Sequence, residues 1–238
     1  VGKNKLKRFE ENLGFKNLFQ PAFDEVFRNN FDGKGRWHKD VYQNENPLVL
    51  ELGCGKGEYT IGLSGYYKNK NFLGIDIKGA RLWRGAKTAV KEGITNAAFL
   101  RTRIEFINSF FEPDEVSEIW ITFPDPQLKG SRIKKRLTSS RFLNSYRLFL
   151  KAGGIVHLKT DNVNLHRYTK ALAEENGLEI LTATENLYGT VHDDPILGIR
   201  TFYESQFLSK GLNITYLQFK IDGEKPIEEP QRFEEQFF

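Results

Sequence analysis

The sequence predicts an α/β domain: a mostly parallel central sheet with helices on both faces and an antiparallel last strand. Three observations carry that expectation. From Leu48 onward, short apolar runs alternate with amphipathic helical patterns, a rhythm that fits parallel strands joined by crossover helices. The first run ends in a glycine-rich turn, Gly53-Cys54-Gly55-Lys56-Gly57, before a helix that opens at about Glu58. The last run, Ile214 to Ile221, alternates with period two and follows no long helix, which suits an antiparallel partner.

Each element follows from its local pattern. Leu48-Val49-Leu50-Glu51-Leu52, Asn71 to Ile77, Ala97 to Thr102, Glu118 to Phe123 and Gly154 to Thr160 read as strands. Ser140 to Lys151 reads as a helix through Phe142, Leu143, Tyr146, Phe149 and Leu150, closed by Gly153 and Gly154. Asn162 to Asn176 reads as another, with Leu165, Tyr168 and Leu172 on one face and Gly177 as its stop. Residues 1–46 carry Gly14, Pro21, Gly33 and Gly35 among aromatics and bases and are expected to form an extension packed on the domain. Residues 47–223 form that domain, and 224–238 an acidic tail with Glu228, Glu229, Glu234 and Glu235.

Composition narrows the classes. Of 238 residues 39% are apolar and 20 are Phe, enough for a sizeable core. The single cysteine, Cys54, excludes an internal disulfide, and one Cys with four scattered His has no metal-site spacing, so no metal is expected. No stretch approaches the ~18 uncharged apolar residues of a membrane span, and Val1-Gly2-Lys3-Asn4-Lys5 leads into no apolar segment. The expectation is a soluble cytoplasmic protein, monomer or homodimer.

The net charge is only +4, but it is unevenly spread. Between Asp125 and Asp161 there is no acidic residue and there are nine basic ones: Lys129, Arg132, Lys134, Lys135, Arg136, Arg141, Arg147, Lys151 and Lys159. That imbalance points to nucleic acid. Lys3, Lys5, Lys7 and Arg8 add charge at the N-terminus, where a solvated face is an equal reading.

The motifs converge on strand ends. Gly53, Gly55 and Gly57 let the backbone approach a ligand closely, with helix amides behind them. Glu58 stands where a dinucleotide fingerprint has its third glycine, which argues against a phosphate-rich nucleotide. Glu51 suits a cationic amino-acid moiety instead, and S-adenosylmethionine carries an ammonium and a sulfonium. Asp76, about 20 residues after the glycines, is placed to accept from the two ribose hydroxyls of a nucleoside. Gly53, Asp76, Asp125 and Asp161 all fall at carboxyl ends of predicted strands, where open α/β sheets bind ligands. Asp125 sits in Phe123-Pro124-Asp125-Pro126, two prolines pre-setting its backbone. Asp161 reads equally as the N-cap of the following helix. His157 reads as a core histidine and Cys54 as packing in the loop.

Glu-x-Gly-x-Gly-x-Gly, Gly74-Ile75-Asp76 and Phe123-Pro124-Asp125-Pro126 with Lys129 resemble the bacterial tRNA (guanine-N7-)-methyltransferase family. Lys134-Lys135-Arg136-Leu137, Lys159-Thr160-Asp161 and Thr201-Phe202-Tyr203-Glu204 look like that family's later motifs, in family order. The resemblance implies a Rossmann-like class I methyltransferase fold over 47–223 and transfer of a methyl from S-adenosylmethionine to N7 of a guanine in the tRNA variable loop. It implies Glu51, Gly53, Gly55, Gly57, Asp76 and Asp125 at the cofactor, with Asp125 central to catalysis. Lys129, Asp161, Thr201, Tyr203 and Glu204 fall to the substrate, and Lys134, Lys135 and Arg136 to the RNA backbone. Arg103 is also expected at the cofactor, with one departure from the family: by offset it stands where members commonly have an acid contacting the adenine, and arginine can stack on or bond to adenine but cannot accept from its amino group.

Guanine N7 has an in-plane lone pair and no proton, so its attack on a sulfonium methyl needs no general base. The absence of a His dyad or Cys nucleophile is then expected. Two other classes stay open on the residues alone: a methyltransferase for protein or a small molecule, and a non-catalytic RNA-binding module.

Overall fold

A computed structural model describes residues 2–27, 31–190, 194–222 and 225–231; Glu234 and Glu235 of the acidic tail lie outside the described residues. The chain begins with α1 (Gly2–Leu13), β1 (Leu18–Phe19), α2 (Phe23–Phe27) and a π-helical turn at Trp37–Tyr42. It continues through β2 (Leu48–Leu52), α3 (Glu58–Tyr66), β3 (Asn71–Asp76), α4 (Gly79–Glu92), β4 (Ala97–Arg101) and β5 (Val116–Thr122). Then come α5 (Ser140–Tyr146), β6 (Leu150–Thr160), α6 (Val163–Glu175), β7 (Ile180–Thr184), α7 (Leu187–Thr190), α8 (Phe202–Ser209) and β8 (Thr215–Ile221). Short 3₁₀ segments at Ile104–Ser109 and Gly130–Lys135 flank β5.

The strands form one eight-stranded sheet in the order β1-β4-β3-β2-β5-β6-β8-β7. Neighbours pair in parallel except β8, which runs against both β6 and β7. The expected antiparallel last strand is there, inserted inside the sheet rather than laid on its edge. β2 lies between β3 and β5, so the order reverses there and leaves a crevice at the carboxyl ends of these three strands.

Period-two alternation divides the core. Leu50 and Leu52, Leu73 and Ile75, Ile119 and Ile121, Val156 and Leu158, Leu217 and Phe219 all face one layer, which is packed by α5, α6 and the Trp37 segment. The opposite face carries Val49, Phe72, Trp120 and Tyr216 under α3 and residues 187–188 and 196–208. On that second face the strands also place Glu51, His157 and Lys159, all buried. His157 is a core residue as expected: its ring stacks on Trp120 at 3.8 Å between centroids, and its Nδ1 lies 2.8 Å from the Tyr216 hydroxyl.

Two expectations need correction. The helix predicted over 140–151 stops at Tyr146, because Leu150 already pairs with Val116 in the sheet. Its apolar Phe149 and Leu150 serve a turn and a strand that happen to continue the helical spacing. Gly153 and Gly154 lie inside β6, where Gly153 takes a φ of 68° beside a register shift against β5. β7, with alternating half-buried and exposed residues, was not anticipated.

Residues before β2 are built onto this frame. α1 runs beside α4, with the Asn12 amide donating to Gly79 O at 3.0 Å, and β1 adds a strand next to β4. Trp37 is buried and donates from its indole to Phe110 O at 2.8 Å. No helix among the described residues is long and apolar enough to cross a membrane.

Gly85 in α4 shows how tightly the α4–sheet contact is set. A Cβ there would lie 2.5 Å from Phe99 Cζ and 2.9 Å from the Lys56 carbonyl oxygen. Gly85→Ala is expected to cost about 1–3 kcal/mol through overpacking, read as a lower denaturant midpoint at unchanged m.

Candidate active site

The glycine loop owes its shape to three left-handed glycines. Gly53, Gly55 and Gly57 take φ values of 74°, 57° and 72°, a region costly for other residues. Their reasons differ. A Cβ on Gly57 would strike Phe99 at 2.4 Å, so that glycine also serves packing, whereas Gly55 has nothing within 4 Å and Gly53 only Leu137 at 3.9 Å. The open side of the loop is where a ligand can reach the backbone. Cys54, between them, is buried against Leu82 and Phe99, the packing role expected of it.

Glu51 holds the loop from beneath. Only 3% exposed, it accepts from Thr60 N at 2.8 Å, from the Thr60 hydroxyl, and from the Thr122 hydroxyl at 2.8 Å. One carboxylate thus joins β2, the first turn of α3 and the end of β5. Burial pushes its pKa up to about 7 against the opposing pull of those threonine hydrogen bonds. Sequence reasoning placed Glu51 at the cofactor, and the structure gives its oxygens protein partners. Its influence on a ligand would pass through the loop it fixes and through its charge.

Asp76 ends β3 and is 9% exposed. Its carboxylate accepts from Gly55 N at 3.0 Å and Lys78 N at 2.7 Å, drawing the glycine loop onto the end of the neighbouring strand. Arg103, exposed after β4, caps the 3₁₀ segment with its backbone only.

Beyond β5 the chain is strained. Phe123 and Gln127 flank Pro124-Asp125-Pro126 with φ of 48° each, conformations unusual for non-glycine residues. Two contacts hold Phe123 there: its N–H donates to Lys159 O at 2.8 Å, and its ring stacks on Phe207 at 5.9 Å. Asp125 itself is exposed and accepts from Gln127 N at 3.0 Å, which closes the turn.

The basic segment splits into two populations. Lys129, Lys134 and Lys135 are exposed along the loop that follows Asp125. Arg136 is not a surface cation: it is 2% exposed, donates to Pro126 O at 3.2 Å and Gln127 O at 3.5 Å, and lies over the Tyr168 ring at 4.4 Å. Its role in RNA-backbone contact is corrected to buttressing the Pro-Asp-Pro turn. Lys159 is likewise buried, donating to Leu197 O at 2.7 Å and pairing with Glu204 at 2.8 Å. Burial lowers its pKa and Glu204 opposes that shift.

Glu204 is therefore neither a solvated acid nor open to a ligand. It is 0% exposed, holds Lys159, accepts from the Tyr188 hydroxyl and closes a capping box with Thr201 at the start of α8. The placement in direct substrate contact gives way to a structural one, because its oxygens are taken. Thr201 is the N-cap, accepting from Glu204 N at 3.1 Å, while Tyr203 is 41% exposed and meets Arg81 through its hydroxyl at 3.1 Å. Asp161 is half-buried, and burial raises its pKa. The N-cap of α6 is Asn162, whose side chain accepts from Leu165 N at 2.8 Å, so Asp161 is released from that duty.

Gly53–Gly57, Asp76, Asp125 and Asp161 thus occupy carboxyl ends of β2, β3, β5 and β6. Sequence reasoning missed Thr60 and Thr122; a hydroxyl nine residues from a buried acid carries no pattern of its own. Among the described residues no group of three or more His, Cys, Asp or Glu is arranged to hold a metal.

If the Glu51 carboxyl titrates near 7 folded and near 4.5 unfolded, the native state keeps a proton over that window that the unfolded chain has lost. Its contribution to stability then falls as pH rises from about 4.5 to about 7. Glu51→Gln is expected to gain stability relative to the parent across that interval, measured by denaturation at successive pH values. A constant difference would remove the titration from Glu51.

Residues 45–217 match the sequence profile of a family described as "Putative methyltransferase". The chain is 54% identical over 220 residues to a tRNA (guanine-N(7)-)-methyltransferase of Christiangramia forsetii, covering 92% of this chain and 98% of that protein. It is 50% identical over 230 residues to a protein of the same name from Bacteroides fragilis, covering 97% and 90%. Among solved structures, a variant of the 16S rRNA (adenine(1408)-N(1))-methyltransferase from Catenulisporales acidiphilia, with cosubstrate SAM, superimposes with a TM-score of 0.54 at 13% identity, covering 79% of this chain and 91% of that one. At that identity the likeness bears on fold alone.

Proposed function

Because the chain belongs to the tRNA (guanine-N(7)-)-methyltransferase family, we propose that it transfers a methyl group from S-adenosylmethionine to N7 of a guanine in the tRNA variable loop. The observation that carries this is the meeting, at one edge of the sheet, of an open glycine loop, acids at successive strand ends and an exposed lysine loop directly after Asp125. The residues suit the cofactor. Gly53 and Gly55 leave space above the loop, and Asp76 at the end of β3, each of whose oxygens accepts one backbone N–H and keeps a second lone pair, has acceptor capacity left for ribose hydroxyls. When bound, S-adenosylmethionine supplies an electrophilic sulfonium methyl.

The protein's part is positioning and charge. N7 carries no proton, so no side chain need remove one in the attack, and the purine becomes cationic as the bond forms. Asp125, held by a turn whose backbone is locked on both sides, presents fixed negative charge where that cation develops. Asp161, on the adjacent strand and not committed to capping, is placed to accept from the guanine N1 and N2 protons. Thr201 and Tyr203, at the start of α8, are assigned to the substrate from the family motif, and Tyr203 offers an exposed ring beside Arg81. Lys129, Lys134 and Lys135 bring the phosphate backbone to the site.

The direct test is incubation with labelled cofactor and unmodified tRNA, followed by nuclease mapping of the methyl. Label at N7 of a variable-loop guanine is expected. Absence of RNA labelling under conditions where cofactor binds would overturn the reading. Asp125→Ala is expected to lower single-turnover methyl transfer by about 10²–10³-fold, the scale of one preorganised electrostatic group. Unchanged transfer would deny Asp125 its role. Lys134→Glu with Lys135→Glu, sparing the buried Arg136, is expected to weaken tRNA binding while cofactor affinity holds. Its salt dependence should flatten by about 0.7–0.9 in log–log slope for each phosphate no longer neutralised.

A further inference from the structure

A second basic surface lies away from the lysine loop. α1, α4 and the outer side of the glycine loop enclose a groove of about 530 Å³ lined by Arg8, Lys56, Arg81, Arg84, Trp83 and Glu58, among others. Four cations face it against one carboxylate, and that carboxylate is engaged: Glu58 accepts from Phe202 N at 3.0 Å. The other acid near the rim, Glu11, is taken by Lys87 and the Trp83 indole, both at 2.8 Å.

What holds these cations is unusual. Arg8 lies over Trp83 at 4.7 Å, Lys56 over Phe202 at 4.0 Å and Arg81 over Tyr203 at 5.8 Å. Arg81 donates to the Tyr203 hydroxyl, and Arg8 to Ala80 O at 3.5 Å. None of the four pairs with a carboxylate among the described residues; rings and neutral oxygens order Arg8, Lys56 and Arg81 without neutralising them. A structural ion-pair network would match each cation with an acid. This groove keeps its positive charge and gives up little side-chain entropy when an anion arrives. Trp83 in the lining is partly exposed, and Phe202 and Tyr203, which contact the lining cations Lys56 and Arg81, are exposed; all three offer flat apolar faces of the kind that unstacked bases use.

Resting on the functional reading above, we propose that the α1–α4 groove is a second binding tract for the substrate tRNA. Arg8, Lys56, Arg81 and Arg84 take phosphodiester oxygens there, on the glycine-loop side of the active site. Lys56 belongs to the glycine loop and Arg81 touches Tyr203, so the tract is continuous with the site. The RNA is gripped on two sides: by Lys129–Lys135 after β5 and by the groove beside α4.

Arg84 is exposed and has no side-chain partner among the described residues, so Arg84→Glu leaves the fold intact; Arg8→Glu adds the opposite wall. Lys56 and Arg81 stay untouched because they contact the residues beside the site. In the full-length protein, Arg8→Glu/Arg84→Glu should raise KM for tRNA about 10-fold, with kcat and cofactor Kd unchanged. The log–log salt slope of tRNA binding should fall by about 0.7–0.9 for each phosphate that the groove no longer neutralises. Arg84→Lys should retain parental binding. Parental KM and slope in the double variant would overturn the groove proposal while leaving the functional reading in place. Failure of the parent protein to bind or methylate tRNA would overturn both.

Discussion

The Glu51 carboxylate is the constraint on which the site depends. Its hydrogen bonds to Thr60 and Thr122 fix the end of β2 relative to the start of α3 and the end of β5. The glycine loop is suspended between the first two, and the Pro-Asp-Pro turn begins at the third. A salt bridge could not do this as compactly, because a cation large enough to reach three elements would fill the space under the loop. Hydroxyl and amide donors satisfy the acid at close range, and burial keeps its affinity for a proton high. The acid is thereby a tie whose charge depends on its surroundings.

A second buried tie acts on the far side of the crevice. Lys159 and Glu204 join β6 to α8, and Phe123 stacking on Phe207 joins β5 to the same helix. Both ties use the sheet face that carries Trp120 and Tyr216, while the opposite face is apolar along its length. The asymmetry has a physical sense. Polar side chains that must reach strand ends are placed where short helices and loops supply partners, and the layer under α5 and α6 remains free for packing. Breaking one partner of the Lys159–Glu204 pair would strand a charge at zero exposure, a cost on the order of 3–5 kcal/mol.

Much of this was legible in the sequence. Short apolar runs located β2 to β6, and the period-two run at 214–221 with no long helix before it signalled the reversed β8. The glycine turn and the strand-end acids were legible because their residue types are needed locally, by φ or by position. What was not legible depends on tertiary company. Arg136 and Lys159 read as surface charge because nothing in their neighbours announces the carbonyls and the acid that bury them. Glu204 follows Thr201 at capping-box spacing, a local signal that the sequence carries and the motif assignment does not use. The α1–α4 groove was hidden more completely. Its cations come from three separated segments, and only the fold brings them together.

The two left-handed residues around Pro124-Asp125-Pro126 have one further implication. Strain at Phe123 and Gln127 is sustained mainly from outside the aspartate, by the sheet ladder, by Phe207 and by the Arg136 guanidinium; the Asp125 carboxylate adds the bond to Gln127 N. The aspartate inherits a shape that its neighbours maintain. A side chain at the apex that still accepts from Gln127 N, such as Asn, can then be exchanged in without rebuilding the scaffold, so a turn of this kind can serve as a fixed mount for a different polar group.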